Sequence, residues 1–340
     1  MPTRDRLPLR LNDDELVMQA VAGQIAHPIG RPNPYRIGQD GVPRVLPGTG
    51  GIVVNRRIGD PCVGLAADHV EPGVALHNNG REIVGGRDGP NLALLTSACV
   101  GNRARVLTGP AAGALGMVTG KHGGINHVLV DFDTRTLLRL GIGDRVQVYA
   151  CGLGLRLPDF PEVTVTNCAP GLLRRWAPQP RGEALEVRVT HRLPAALIGS
   201  GLGKNSVWRG DFDIQLFDVR MRRRHGLDRL RFGDLVAILD SDARFGWAFR
   251  GGRVTIGVVV HSDSTVSGHG PGVAALLSGP AGTLCPVRDA AANLAVLYRR
   301  REVPPARPRQ PLAGRRQIPA RPHESVETMI GFGATNNSRV

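Results

Sequence analysis

The sequence predicts a mainly β protein, made of several small β-barrel or sandwich units with a few short helices, and three observations carry that prediction. Short β-branched runs recur along the chain, each bounded by Gly, Pro or Asp, as strands should be. Glycine supplies 45 of the 340 residues, well above the usual share of roughly 7%, and implies many turns. Aromatic residues are scarce at 4%, and little helix is expected.

In chain order, Asp13-Asp14 predicts a capped helix running through Val21. Strands are expected at Ile52 to Val54, Val128 to Val130, Val146 to Val148, Val163 to Val165, Val187 to Val189, Leu235 to Ile238 and Val254 to Val260. Thr134 could cap a helix through Leu140, and Pro170 suits the first turn of another ending at Trp176, because its fixed φ is already helical. An internal echo reinforces the barrel reading. Leu137-x-x-Leu140-x-Ile142-Gly143-Asp144-x-Val146-x-Val148 matches Leu227-x-x-Leu230-x-Phe232-Gly233-Asp234-x-Val236-x-Ile238, and Ile58-Gly59-Asp60 is a weaker third copy. Glycine accepts positive φ and aspartate bonds its own backbone, so a strand-entry turn is the plain explanation and barrel duplication the alternative.

The run Ala104-Arg-Val-Leu-Thr-Gly109-Pro-Ala-Ala-Gly113-Ala-Leu-Gly116-Met-Val118-Thr-Gly120-Lys121 resembles the KOW motif, a glycine-spaced unit of SH3-like barrels. The resemblance implies a small barrel more strongly than RNA binding, because the fold serves many purposes. The expected organisation is an N-terminal β-rich domain over 1–100, an SH3/KOW-like barrel over 101–152, a C-terminal β-rich domain over 153–298, and a disordered Arg/Pro-rich tail over 299–340.

The formal charge is +14, but the tail holds nine arginines against three glutamates, +6, and the body carries only about +8. Nucleic acid is therefore a weaker expectation than a small-molecule partner, since basic residues support binding only when spatially focused. The five cysteines form no CxxC pair, the N-terminus lacks the apolar core of a signal peptide, and no apolar run approaches the roughly 20 residues of a membrane span. A soluble cytoplasmic protein without membrane contact is expected; self-association is compatible with the sequence.

The stretch Val258-Val-Val-His261-Ser-Asp263-Ser-Thr-Val-Ser-Gly-His269-Gly-Pro-Gly272 carries the chemistry. Strand ends aim side chains at ligands, and glycine lets backbone approach them closely. Imidazole and carboxylate are ligands for zinc, manganese or iron, and equally a general base with its orienting partner. His261, Asp263 and His269 are the expected catalytic residues. Asp68-His69-Val70-Glu71-Pro72-Gly73 has the same vocabulary, so a divalent metal would be held by His261, His269, Asp68 and His69. Histidines that only bond loop backbone would read the same way. Asp240 and Asp242 alternate on one face of a strand and could bind a cation or be solvated turn residues.

Of the 43 basic residues only two are lysine, and both sit beside glycine, in Gly120-Lys121-His122-Gly123-Gly124 and Gly201-Leu-Gly203-Lys204. A compact amine differs from guanidinium in anion contact and in ease of deprotonation. Lys121, His122, Lys204, Gly201 and Gly203 are accordingly the expected substrate-binding residues. The second stretch lacks the Walker A pattern but could form a backbone nest for an anion.

Asp40-Gly-Val-Pro-Arg-Val-Leu-Pro-Gly-Thr-Gly-Gly51, Asp68 to Gly73, Gly120 to Gly124, Gly210-Asp-Phe-Asp-Ile-Gln215, Arg231-Phe-Gly-Asp-Leu-Val-Ala-Ile238 and the His261 to Gly272 loop together resemble the prokaryotic domain of unknown function 4438 family, over residues about 12–280. The resemblance implies a multi-domain, β-rich intracellular protein and carries no catalytic residue with it. The function expected from the residues is an enzyme on a small anionic or amide-bearing metabolite, of hydrolase or lyase type and metal-assisted, since no redox cofactor motif is present. The alternative is a non-catalytic SH3/KOW-like module binding RNA or a protein partner.

Overall fold

A computed structural model describes residues 9–80, 83–84, 87–203 and 205–298. The tail over 299–340 and Lys204 lie outside them. Six strands form a closed antiparallel barrel: β1 (Gln19–Ile25), β2 (Gly73–His77), β3 (Arg103–Val106), β4 (Leu115–His122), β5 (His127–Asp131) and β6 (Arg145–Ala150). They run around the ring as β1-β6-β3-β4-β5-β2, and β2 returns to β1 through the pairs Gln24–His77 and Ile25–Leu76. Closure leaves no strand edge unpaired. Every second residue of β6 is buried, and its Val146 and Val148 fill the interior with Ile25, Val74, Val118 and Val130.

This barrel straddles the boundary placed near residue 100. Residues 101–152 supply four of its strands, which alone would leave two open edges, and β1 and β2 cover them. The same pairing explains why no helix runs from Asp13 to Val21. A short 3₁₀ turn covers Asp13–Glu15, and from Gln19 the chain is strand, because tertiary pairing with β6 overrides the local capping signal. Helix Thr134–Leu137 is capped by Asp133 rather than Thr134, and helix Pro170–Trp176 begins with its proline at the first turn.

A second sheet contains β7 (Thr164–Val165), β8 (His191–Pro194), β9 (Phe212–Asp213), β10 (Leu235–Asp242), β11 (Ala248–Val259) and β12 (Gly272–Pro280). Its order is β7-β12-β11-β10-β8, with β9 beside β12. The near-continuous apolar runs of β10 and β11 reflect burial on both faces. Leu235, Ile256 and Val258 face one core, while Val236, Ile238 and Val259 face the other. Each such side chain contributes about 1.5–3 kcal/mol relative to exposure. A third sheet joins Gln179–Arg181, Ala184–Val189 and Leu284–Arg288. The five cysteines are all free.

The repeated Gly-Asp signal is a repeated turn. Asp60, Asp144 and Asp234 each accept, through Oδ2, the amide three residues earlier, from Arg57 at 2.9 Å, Gly141 at 2.8 Å and Arg231 at 2.9 Å. The preceding glycines have φ of 90°, 86° and 79°, a conformation that side chains resist.

Barrel and second sheet share a core, in which Ala75, Met117 and Leu129 pack with Val258, Val260 and Leu276. A Cβ on Gly120 would lie 2.2 Å from Val260 Cγ1, so this glycine is what lets β4 lie against the end of β11. The C-terminal ends of those two strands, with His122 and His261, are thereby brought together.

Candidate metal centre

Four segments deliver side chains to this point. His122 ends β4. His261 follows β11 by two residues and is completely buried. Asp213 ends β9, and Asp211 lies two residues earlier, so strand alternation puts both carboxylates on one side. His69 precedes β2 with a φ of 54°, a left-handed backbone that costs energy for any residue with a side chain. His269 comes from the β11–β12 loop. That loop is laced to the His69 segment, since the Val70 amide donates to Ser262 Oγ at 2.9 Å and the Ser262 amide to the Val70 carbonyl at 3.0 Å.

The imidazoles form one cluster. Ring centroids of His122 and His261 are 4.2 Å apart and stacked, and His69 lies 4.9 Å from both His261 and His269. Three rings have Nδ1 committed outside the cluster. His69 Nδ1 bonds Asp68 Oδ1 at 3.0 Å, His122 Nδ1 bonds Glu71 Oε1 at 2.7 Å, and His261 Nδ1 bonds the Ser262 carbonyl at 2.9 Å. With protons on those nitrogens the Nε2 atoms of His122 and His261 turn to the centre, the arrangement that outer partners impose on metal-bound histidines, while His69 Nε2 lies 3.0 Å from His269 Nδ1. His261 Nε2 lies 2.8 Å from Asp211 Oδ2 and 3.4 Å from Asp213 Oδ1. His261 Nε2 and Asp211 Oδ2 are both buried and form an ion pair. Donor atoms of His69, Asp213 and His261, and of His122, Asp211 and His261, lie within 4.8 Å of one another.

The surroundings tune these groups. Burial raises the Asp68 carboxyl, but hydrogen bonds from His69 and Ser264 and the charge of Arg36 outweigh it and hold the pKa at about 2. Buried Glu71 is likewise held low by His122 and His127, and also accepts the Gly50 amide at 2.7 Å. Burial lowers His122, whereas Asp211 and Asp213 outweigh burial at His261 and raise it. Asp213 stays ionised well below its ordinary range under the influence of His261, His269 and His69.

The structure thus brings together His69, His122, His261 and His269, with Asp68 behind His69. It corrects other expectations. Asp263 is not a member: its Oδ2 accepts the Gly64 amide at 2.6 Å and its carbonyl the His69 amide at 3.3 Å, so it fixes the loops instead. Lys121 is buried away from the cluster, because side chains alternate along β4. Its Nζ donates to Asn167 Oδ1 and the Trp208 carbonyl, both at 2.7 Å, and burial pulls its pKa down to about 8. Asp240 and Asp242 have separate partners. Asp240 accepts the Gly252 amide, and Asp242 pairs with Arg244, Arg250 and Arg253. The alternating aspartates that matter are Asp211 and Asp213, and the signal was present in Gly210-Asp-Phe-Asp. Glu71 was visible only as part of the His69 segment.

The cluster floors a cavity of about 860 Å³. Gly123 and Gly124 line it, as do Gly201 and Gly203, while Lys121 does not. His261 lies beneath the floor. A Cβ on Gly272 would sit 2.0 Å from Asp211 Oδ2 and 2.2 Å from His261 Nε2, so only glycine fits there. Among the described residues no helix is long and apolar enough to cross a membrane.

Residues 35–174 match the family model for the domain of unknown function DUF4438, N-terminal, and residues 176–298 match the model for the C-terminal domain of the same name. The chain is also similar to a solved structure titled "Crystal structure of TM1086", with 39% identity and a TM-score of 0.79, covering 85% of this chain and 98% of that one. Comparison with curated proteins gives no match.

Proposed function

The chain belongs to the DUF4438 family, and from the donors that its two halves converge we propose that it is a divalent-metal enzyme of hydrolase or lyase type acting on a small metabolite. One observation supports this above the rest. Donor atoms of His69, Asp213 and His261, and of His122, Asp211 and His261, gather within 4.8 Å of one another, and His261 and Asp211 meet at 2.8 Å in a buried ion pair. A divalent cation among them would satisfy these imidazole and carboxylate donors together.

His69, His122, His261, Asp211 and Asp213 would hold it, a set of imidazole and carboxylate without thiolate that suits zinc, manganese or iron. Bound there, such an ion acidifies water or polarises a carbonyl. The chain's own residues would do the rest. Asp68, Glu71 and the Ser262 carbonyl keep the imidazoles in one tautomer. His269, the most exposed member at 37%, has Nδ1 3.0 Å from Asp213 Oδ2 and is the group suited to carry a proton to or from a ligand in the cavity.

The test is elemental analysis of the full chain after reconstitution with zinc, manganese or ferrous iron and matched dialysis, beside His261→Ala. Retention of metal by the wild type and its loss from a folded variant is the expected result. Equal metal in both, or none retained by the wild type, would sink the reading.

A further inference from the structure

We infer that the cavity takes a small acid and grips its carboxylate or phosphate group through Arg31, Arg36 and Arg44, an inference that rests on the metal-centre reading above. These three guanidinium groups line the same cavity as His69, His122, Asp211, Asp213 and His269. They come from one segment, 29–46, whose strands Arg36–Ile37 and Pro43–Arg44 form a small hairpin beside the cluster. Two are held in place by carboxylates. Asp40 binds Arg44 in a two-pronged contact of 2.8 and 2.6 Å, and Asp68, which orients His69, also pairs with Arg36. Arg31 makes no hydrogen bond or ion pair among the described residues.

Charge balance then points to the ligand. The ionised residues lining the cavity are three arginines and three aspartates, Asp68, Asp211 and Asp213. All three aspartates contact the histidines, Asp68 is shared with Arg36, and Asp40 behind Arg44 adds a fourth negative charge. A divalent ion at the cluster would leave the cavity with a net positive charge, and the guanidinium fork matches the paired oxygens of carboxylate and phosphate. The Lys121 amine, expected to play this part, is committed to Asn167 and Trp208. An anion anchored at the hairpin would have its reacting end over the histidines.

The test is calorimetric titration of the metal-loaded full chain at low ionic strength with succinate, inorganic phosphate and uncharged succinamide, with metal content measured in each sample. Succinate or phosphate should bind saturably and succinamide should not, the tighter of the two anions identifying the recognised group. Arg31→Gln should weaken that anion about tenfold or more at unchanged metal content, and Arg31→Lys should weaken it less. Succinamide binding as tightly as succinate, no saturable anion binding, or unchanged affinity in both Arg31→Gln and Arg44→Gln would overturn the anion grip while leaving the metal centre standing. A wild-type chain that holds no metal would overturn both.

Discussion

At the scale of single residues, the candidate centre is defined as much by what is missing as by what is present. Gly272 has no φ that demands glycine; the demand is space, since a methyl group would overlap Asp211 Oδ2 and His261 Nε2. Gly272→Ala should therefore abolish metal retention, with a loss of stability of about 1–3 kcal/mol from overpacking, read by elemental analysis and denaturant unfolding of the same preparation. An alanine variant that kept its metal would mean the donors have another arrangement. The sequence made the four histidines of this cluster legible. His261, His269, His69 and His122, with Asp68 behind His69, stand in glycine-rich stretches beside apolar runs, where a working site is the natural inference. Asp211 and Asp213 escaped because nothing along the chain says that β9 will lie beside β12, and Asp263 was preferred for its nearness to His261. Adjacency in sequence proved a poor guide to adjacency in space.

At the scale of elements, the Gly-Asp turn shows why one motif can carry different energetic weight. Asp144 is half-buried and serves mainly its own turn. Asp234 is fully buried, and beyond the Arg231 amide it binds the Arg231 guanidinium at 2.9 Å and Asn293 Nδ2 at 2.8 Å. Removing one partner of a buried ion pair costs about 3–5 kcal/mol, whereas an exposed turn or cap interaction is worth about 1. Asp234→Ala should accordingly destabilise the chain several times more than Asp144→Ala in urea unfolding; equal losses would show that the turn alone matters. The strands were readable for the same local reasons, because β-branched runs between Gly and Pro have few other uses. The segment from Asp13 to Val21 misled because its acidic cap is real but local, while β1 is required by barrel closure, a long-range condition that no window of sequence contains.

At the scale of the whole molecule, the donors are shared between the barrel and the second sheet. His69 and His122 belong to the half matching the N-terminal family domain, and Asp211, Asp213, His261 and His269 to the half matching the C-terminal one. Metal bound between them acts only on the folded state, so it should stabilise the protein by about 2.7 kcal/mol at a hundredfold excess over Kd. Chelation should lower the thermal midpoint of the wild type and leave that of His261→Ala unmoved; a chelator that shifts both equally would be acting elsewhere. The sharing also has a consequence for how the protein is made. During synthesis His122 leaves the ribosome some ninety residues before Asp211, and His69 earlier still, while the last donors follow only near the end of the second sheet. A half-made chain, or one terminated before His261, lacks the complete set of donors, so capture of a metal at this centre would wait for synthesis of both halves.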